Sequence, residues 1–201
     1  MGQLALGAAL LFALDTFLVV VGPSPAFDLP VALWVQRAHW GPLIYAFDLI
    51  NSTAGWVQLV VAVVLVGIVL VFNRRDGALM VLASIASLLD NVLKSVVGRE
   101  RPTADLVNIV TPAGGYSYPS GHATFFTWIS FMLAFTFAPR LSSRWRWVPW
   151  FLAAIVIVLT CLARVWAGDH WPSDVAGGFL LGLAWSAGVI WVADRFRRPA
   201  S

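Results

Sequence analysis

Six stretches of this chain are apolar for long enough to cross a bilayer, and its 201 residues leave room for little else. A spanning helix needs about 20 predominantly apolar residues, and inside lipid each backbone polar group has to find its partner within the protein. The runs are about Gln3–Val21, Gly55–Phe72, Ala78–Val97, Ser120–Ala138, Val148–Trp166 and Pro172–Val192. The chain is 60% hydrophobic, against roughly 45–50% in soluble domains. It therefore reads as an all-α polytopic membrane protein: a six-transmembrane-helix bundle forming one membrane-embedded domain over 1–201. No Lys or Arg precedes the first run and no clear cleavage site follows it, so it reads as a retained helix rather than a cleaved signal. Gly22-Pro23-Ser24-Pro25 punctuates its end. Residues 27–52, with Trp34, Arg37, His39 and Trp40, read as one or two short helices lying in the interface.

Orientation follows from the arginines. Given six spans, the loops at 73–77 and 139–147 and the tail at 194–201 share one side, and all three carry arginine. That side is expected to be cytoplasmic, with both termini there, and a bacterial inner membrane is the expected host. The charges that are not topology signals then fall together at the opposite, outer face. The net charge of +3 sits in arginine-bearing loops with no basic, aromatic-interleaved soluble surface, which argues against nucleic-acid binding. The single cysteine, Cys161, lies in an apolar run and reads as a packing residue.

Three clusters carry the candidate chemistry. Lys94, the only lysine, sits in the third run with Asp90 one turn before it and Arg101 seven residues after it. If the helix persists, Lys94 and Arg101 project to one side, and Pro102 then stops it. Arg99 and Glu100 read as loop charges. Next, Tyr118-Pro119-Ser120-Gly121-His122 opens the fourth run. Ser120 suits an N-cap, Gly121 permits close approach to the backbone, and a helix start binds phosphate oxygens. Last, Arg164 precedes Asp169, His170 and Asp174. Asp169 reads as a loop residue, Pro172 suits the first helical position, and Asp174 can reach the His170 imidazole from the first turn. An ionisable group beside hydrocarbon is expensive, and three such clusters on one face point to an anion site at the membrane surface. Asp15 and Asp48 have no assigned part.

Lys94 with Arg101-Pro102, Pro119-Ser120-Gly121-His122, and Arg164 with His170 and Asp174 resemble, in order and spacing, the three signature motifs of the type 2 phosphatidic acid phosphatase superfamily. One departure is Ala163, where that family often has serine before the arginine. The resemblance implies a lipid phosphate or pyrophosphate phosphatase acting through a phosphohistidine. His170 would be the nucleophile, Asp174 its orienting acid and His122 the acid and base. Lys94, Arg101, Ser120, Gly121 and Arg164 would hold the phosphate. Phosphoryl transfer asks mainly for positioning and charge stabilisation, and the nearby carboxylates are too few for a two-metal cluster, so neither metal nor other cofactor is expected. The expected partner is an amphiphile whose tail stays in the bilayer, such as undecaprenyl pyrophosphate, phosphatidylglycerol phosphate or phosphatidic acid.

Rival readings make separate demands. A lipid phosphotransferase uses the same residues with a lipid acceptor in place of water. A small anion transporter would carry its polar residues near the bilayer midplane, whereas these lie near helix ends. A serine hydrolase would use Ser120 with His170 and Asp174, but the cations suit phosphate better than an acyl group.

Overall fold

A computed structural model describes residues 1–21 and 25–196. Gly22-Pro23-Ser24, read as punctuating the first helix, and the basic tail beyond residue 196, with Arg197 and Arg198, lie outside the described residues. The chain forms eight helices among these residues: α1 (Gly2–Val21), α2 (Asp28–Arg37), α3 (Leu43–Ser52), α4 (Trp56–Phe72), α5 (Arg74–Val97), α6 (Gly121–Phe137), α7 (Val148–Trp166) and α8 (Pro172–Arg195). Two 3-10 turns, Ala138–Arg140 and Ser143–Trp145, join α6 to α7.

Five helices or helix-turn segments are long and apolar enough to span a membrane on their own, beginning with α1 and α5 and ending with α8. A sixth candidate span is the pair α3 and α4, bent by 93° at Thr53–Gly55. The expected second span is thus a 17-residue helix that reaches full length only together with a helix folded across its end. The backbone breaks there because Gly55 takes φ +58°, a conformation open mainly to glycine. The segment expected to hold one or two short interfacial helices forms α2 and α3, the second of which is the bent partner of α4.

The start of α5, the end of α8 and the turn after α6 meet at one end of the bundle. Asn73 caps α5, its Oδ1 accepting from the Asp76 N–H at 3.1 Å. At the same end Arg75 pairs with Asp194 at 2.7 Å and Arg140 with Asp76 at 2.9 Å. The candidate site residues gather at the other end.

Helix α6 lies at the centre, against α5, α7 and α8, while α1 packs along α8. Burial on every side explains why it carries Phe125, Trp128, Phe131 and Met132 around its circumference. Between helices already surrounded by lipid, close contact depends on small residues that let backbones approach. On α8 these are Gly178 and Gly182, one turn apart. A methyl on Gly178 would stand 2.4 Å from the Ser120 carbonyl oxygen, and one on Gly182 2.8 Å from that of Thr124.

Candidate active site

Helix α5 delivers Lys94 but not Arg101. Gly98, at φ +65°, ends the helix by closing its N–H onto the Lys94 carbonyl at 3.0 Å. The proposed continuation of α5 to Arg101 therefore does not occur, because a left-handed residue intervenes. The chain nonetheless folds Arg101 back, and its guanidinium organises the loop. Nε donates to the carbonyls of Gly114 and Gly115 at 3.3 and 3.1 Å, and Nη2 to that of Tyr116 at 3.3 Å. Nη1 donates to the Asp169 carbonyl at 2.6 Å and lies 3.4 Å from His170 Nε2. None of the ion pairs among the described residues uses Arg101; carbonyl oxygens take its hydrogen bonds, and the charges of Asp169 and Asp174 act on it from a distance.

The other cations are paired. Lys94 bonds the Asp90 carboxylate one turn away. Arg164, buried at the end of α7, bonds Asp169 and donates to Asn51 Oδ1 at 2.7 Å. Asp169 does lie in the α7–α8 loop, but as a buried ion-pair partner.

His170 is 3% exposed. Its Nδ1 lies 3.5 Å from Asp174 Oδ2, longer than a direct hydrogen bond, and its Nε2 faces Arg101. Burial holds its pKa well below the ordinary 6.5, and the positive charges of Arg164, Arg101 and Lys94 push the same way. Asp174 sits in the first turn of α8 as expected, behind Pro172 at its start. Its Oδ2 accepts from the Trp171 N–H at 2.8 Å.

Ser120 is the N-cap of α6, but the capping hydrogen bond does not form: its N–H donates to the Asp174 carbonyl at 2.9 Å and its Oγ is buried without a protein partner. Its neighbour Gly121 lets the Lys94–Asp90 pair lie against the helix start, where a methyl would stand 3.1 Å from Asp90 Oδ2 and 3.3 Å from Lys94 Nζ. His122 Nε2 is also buried and unpartnered, as is Arg164 Nε. Orphaned polar atoms are costly, and a cluster of them marks a place built to meet a polar ligand.

These residues surround one cavity of about 630 Å³, walled by Lys94, Arg101, Gly121, His122, Arg164 and His170. It continues between α4 and α5 past Leu59, Ala62, Val63, Val66 and Leu88, so a polar head and an apolar groove are joined. Ala163, where the motif departs, is fully buried and is not part of this wall.

Four features escaped the sequence reading. Arg99 does lie in the α5–α6 loop, but as a buried charge that pairs with Asp174 and Asp28, each at 2.5 Å. Asp28, Asn51 and the Asp15–Tyr118 bond, with Tyr118 Oη donating at 3.0 Å, were equally unforeseen. Only proximity in sequence, Arg99 two residues before Arg101, hinted at the first; the rest pair residues 70 or more positions apart. Asp48 and His39 are exposed and touch none of this.

The family model described as the PAP2 superfamily matches residues 77–198. An undecaprenyl-diphosphatase of Sulfolobus acidocaldarius is 36% identical over 118 residues, 55% of this chain and 52% of that protein. A decaprenylphosphoryl-5-phosphoribose phosphatase of Mycobacterium tuberculosis is 33% identical over 174 residues, 84% of each chain. The match spans about half the length of the first relative and most of the second. The crystal structure of a transmembrane PAP2-type phosphatidylglycerolphosphate phosphatase from Bacillus subtilis superposes with a TM-score of 0.81, covering 97% of this chain and 98% of that one at 21% identity.

Proposed function

This multi-pass membrane chain belongs to the PAP2 superfamily, and on that premise we propose that it hydrolyses lipid phosphates or pyrophosphates without a metal, through a phosphohistidine. The observation that carries the reading is Arg101 Nη1, in no direct ion pair among the described residues, 3.4 Å from the Nε2 of a buried histidine whose other nitrogen faces Asp174. That nitrogen is the one free to attack phosphorus if Asp174 keeps the proton on Nδ1.

In the first step Nε2 of His170 forms a bond to phosphorus while the bond from phosphorus to the leaving oxygen breaks, and His122 gives that oxygen a proton. In the second, water attacks the same phosphorus, His122 takes its proton, and the nitrogen–phosphorus bond breaks to release phosphate and restore His170. Lys94, Arg101 and Arg164 surround the phosphoryl oxygens as charge redistributes, with Ser120 Oγ as a further donor. Among the described residues no three His, Cys, Asp or Glu side chains come together as metal ligands, and three cations already stand at the site.

The groove between α4 and α5 favours an amphiphile, with its tail left among Leu59, Val63 and Val66. The relatives' names put polyprenyl substrates alongside phospholipid ones. The site end of the bundle is assigned to the outer face of a cell membrane, because the opposite end carries Arg74, Arg75, Arg140, Arg144 and Arg195.

The test is phosphate release by purified protein in detergent, with chelator present, from undecaprenyl pyrophosphate, phosphatidylglycerol phosphate and phosphatidic acid. Release from at least one is expected. Absence of release from all three, or activity that appears only when a divalent ion is returned, would count against the reading. Transfer of the phosphoryl group to an added acceptor lipid in place of water would favour a phosphotransferase.

A further inference from the structure

Asp28 lies in α2, a helix that no span requires and outside the stretch matched by the family model. It is fully buried all the same. Its Oδ1 accepts from the Ser173 N–H at 2.8 Å, and its Oδ2 from Ser173 Oγ at 2.7 Å and from Arg99 Nη2 at 2.5 Å. Helix α8 begins at Trp171, whose side chain cannot accept a hydrogen bond, so one of its unsatisfied first-turn N–H groups is capped from 145 residues away.

The other half of the Arg99 fork donates to Asp174 Oδ1 at 2.5 Å and to Ser173 Oγ at 2.6 Å. With one oxygen of Asp174 held by the guanidinium, the second is left to the Trp171 N–H and to His170 Nδ1. Unlike Lys94, Arg101 and Arg164, Arg99 does not wall the cavity; it is turned away, with its guanidinium 5.8 Å from the Trp171 ring centre. Its influence on the phosphate site therefore passes through Asp174.

We propose that Arg99 and Asp28 are positioning residues for the nucleophile: Asp28 anchors Arg99, Arg99 sets the rotation of the Asp174 carboxylate, and that carboxylate selects the His170 tautomer that presents Nε2 to phosphorus. A planar fork held at both ends has one orientation, and it fixes Asp174 Oδ1 as the Trp171 N–H fixes Oδ2. The row Asp28–Arg99–Asp174 carries two negative charges and one positive, so the guanidinium is already committed and does not compete for the phosphate. This rests on His170 being the nucleophile.

The chain has three histidines, so selective nitrogen-15 labelling leaves only three imidazoles to read. In the wild-type protein His170 is expected as a single tautomer protonated at Nδ1. In Asp28→Asn the His170 nitrogens should shift toward a tautomer mixture while those of His39 and His122 stay in place. The turnover number kcat for a lipid phosphate should fall roughly 10- to 100-fold, the range seen when partners that orient a reactive group are removed, with KM nearly unchanged. Lost turnover with unchanged His170 signals would reduce Asp28 to a structural role and overturn the proposal, as would unchanged turnover.

If Asp28→Asn disturbs all three imidazoles, Asp28→Asn combined with Arg99→Met removes one charge of each sign and keeps the local balance. Loss of kcat and of the single tautomer in that folded double variant supports the proposal, and wild-type values overturn it. A wild-type protein that hydrolyses no lipid phosphate would sink the functional reading instead, and the tautomer measurement would still decide the positioning role.

Discussion

Arg101 Nη1 stands 3.4 Å from His170 Nε2 while donating a 2.6 Å hydrogen bond to the carbonyl oxygen of the residue before it in sequence, Asp169. One guanidinium thus faces the nitrogen proposed as nucleophile and fixes the backbone that carries it. It also ties down Gly114, Gly115 and Tyr116.

Lysine keeps the charge of Arg101 but has no fork to span these acceptors. Arg101→Lys is expected to lower kcat/KM on the order of 100-fold, the size of one lost transition-state donor. Phosphate-release kinetics measure it, and a loss below about threefold would show that a point charge suffices.

His170→Ala should leave no measurable turnover above background in a protein that still elutes as folded. In His122→Ala the phosphoenzyme should still form but hydrolyse about 100-fold more slowly or worse, since general acid–base help is missing from both steps. Rapid denaturing quench with labelled substrate should then catch label on His170. Label on Ser120 would move the nucleophile there.

The pH dependence has a definite sign. Burial and three neighbouring cations lower the folded-state pKa of His170 below 6.5. Above the unfolded value both states are neutral there, so this stabilising contribution is fully present; it is lost as pH falls below 6.5, where only the unfolded chain takes up the proton. The profile of kcat/KM should accordingly show no acid limb from His170 near 6.5. Arg164→Gln removes a positive charge and should bring an acid limb toward neutrality. A limb that stays in place would deny the coupling.

Gly178 lies where a methyl would meet the Ser120 carbonyl at 2.4 Å, and a backbone atom cannot rotate aside. Gly178→Ala is expected to cost about 1–3 kcal/mol by overpacking. It should also reduce activity, because the residue it displaces precedes Gly121 and His122. Thermal unfolding and phosphate release on the same sample read both effects; a fully stable and active variant would show that α8 can move away from α6.

Ala163 is the one departure from the motif pattern, yet it is buried away from the cavity wall. Ala163→Ser should change kcat/KM by less than about threefold, its new hydroxyl bonding the carbonyl one turn back in α7 rather than phosphate. A clear fall in KM would show that the hydroxyl reaches the ligand.

Much of this architecture is written locally. Val148–Trp166 was delimited to the residue, and α1, α5, α6 and α8 to within a few, because a helix begins and ends where hydropathy, proline and glycine change. Lys94, Arg101, Ser120, Gly121, His122, Arg164, His170 and Asp174 were named from residue type, spacing and the family resemblance; the fold brings all but Ser120 and Asp174 to the cavity wall. Arg101 was right for a partly wrong reason: it reaches the cavity through a turn at Gly98, not along a continuing helix.

The sequence by itself determined which segments enter lipid, that their alternation returns the charged clusters to one end, and which residue types could meet a phosphate there. Those are one-dimensional properties, set by the match between an apolar run and the thickness of a bilayer. Only the tertiary structure decided which charges enter direct ion pairs and with whom: Arg101 faces His170, while Arg99, two residues earlier, is turned away between Asp28 and Asp174. A buried charge is governed by the neighbours that packing supplies, and those neighbours come from α2 and α8, far apart along the chain.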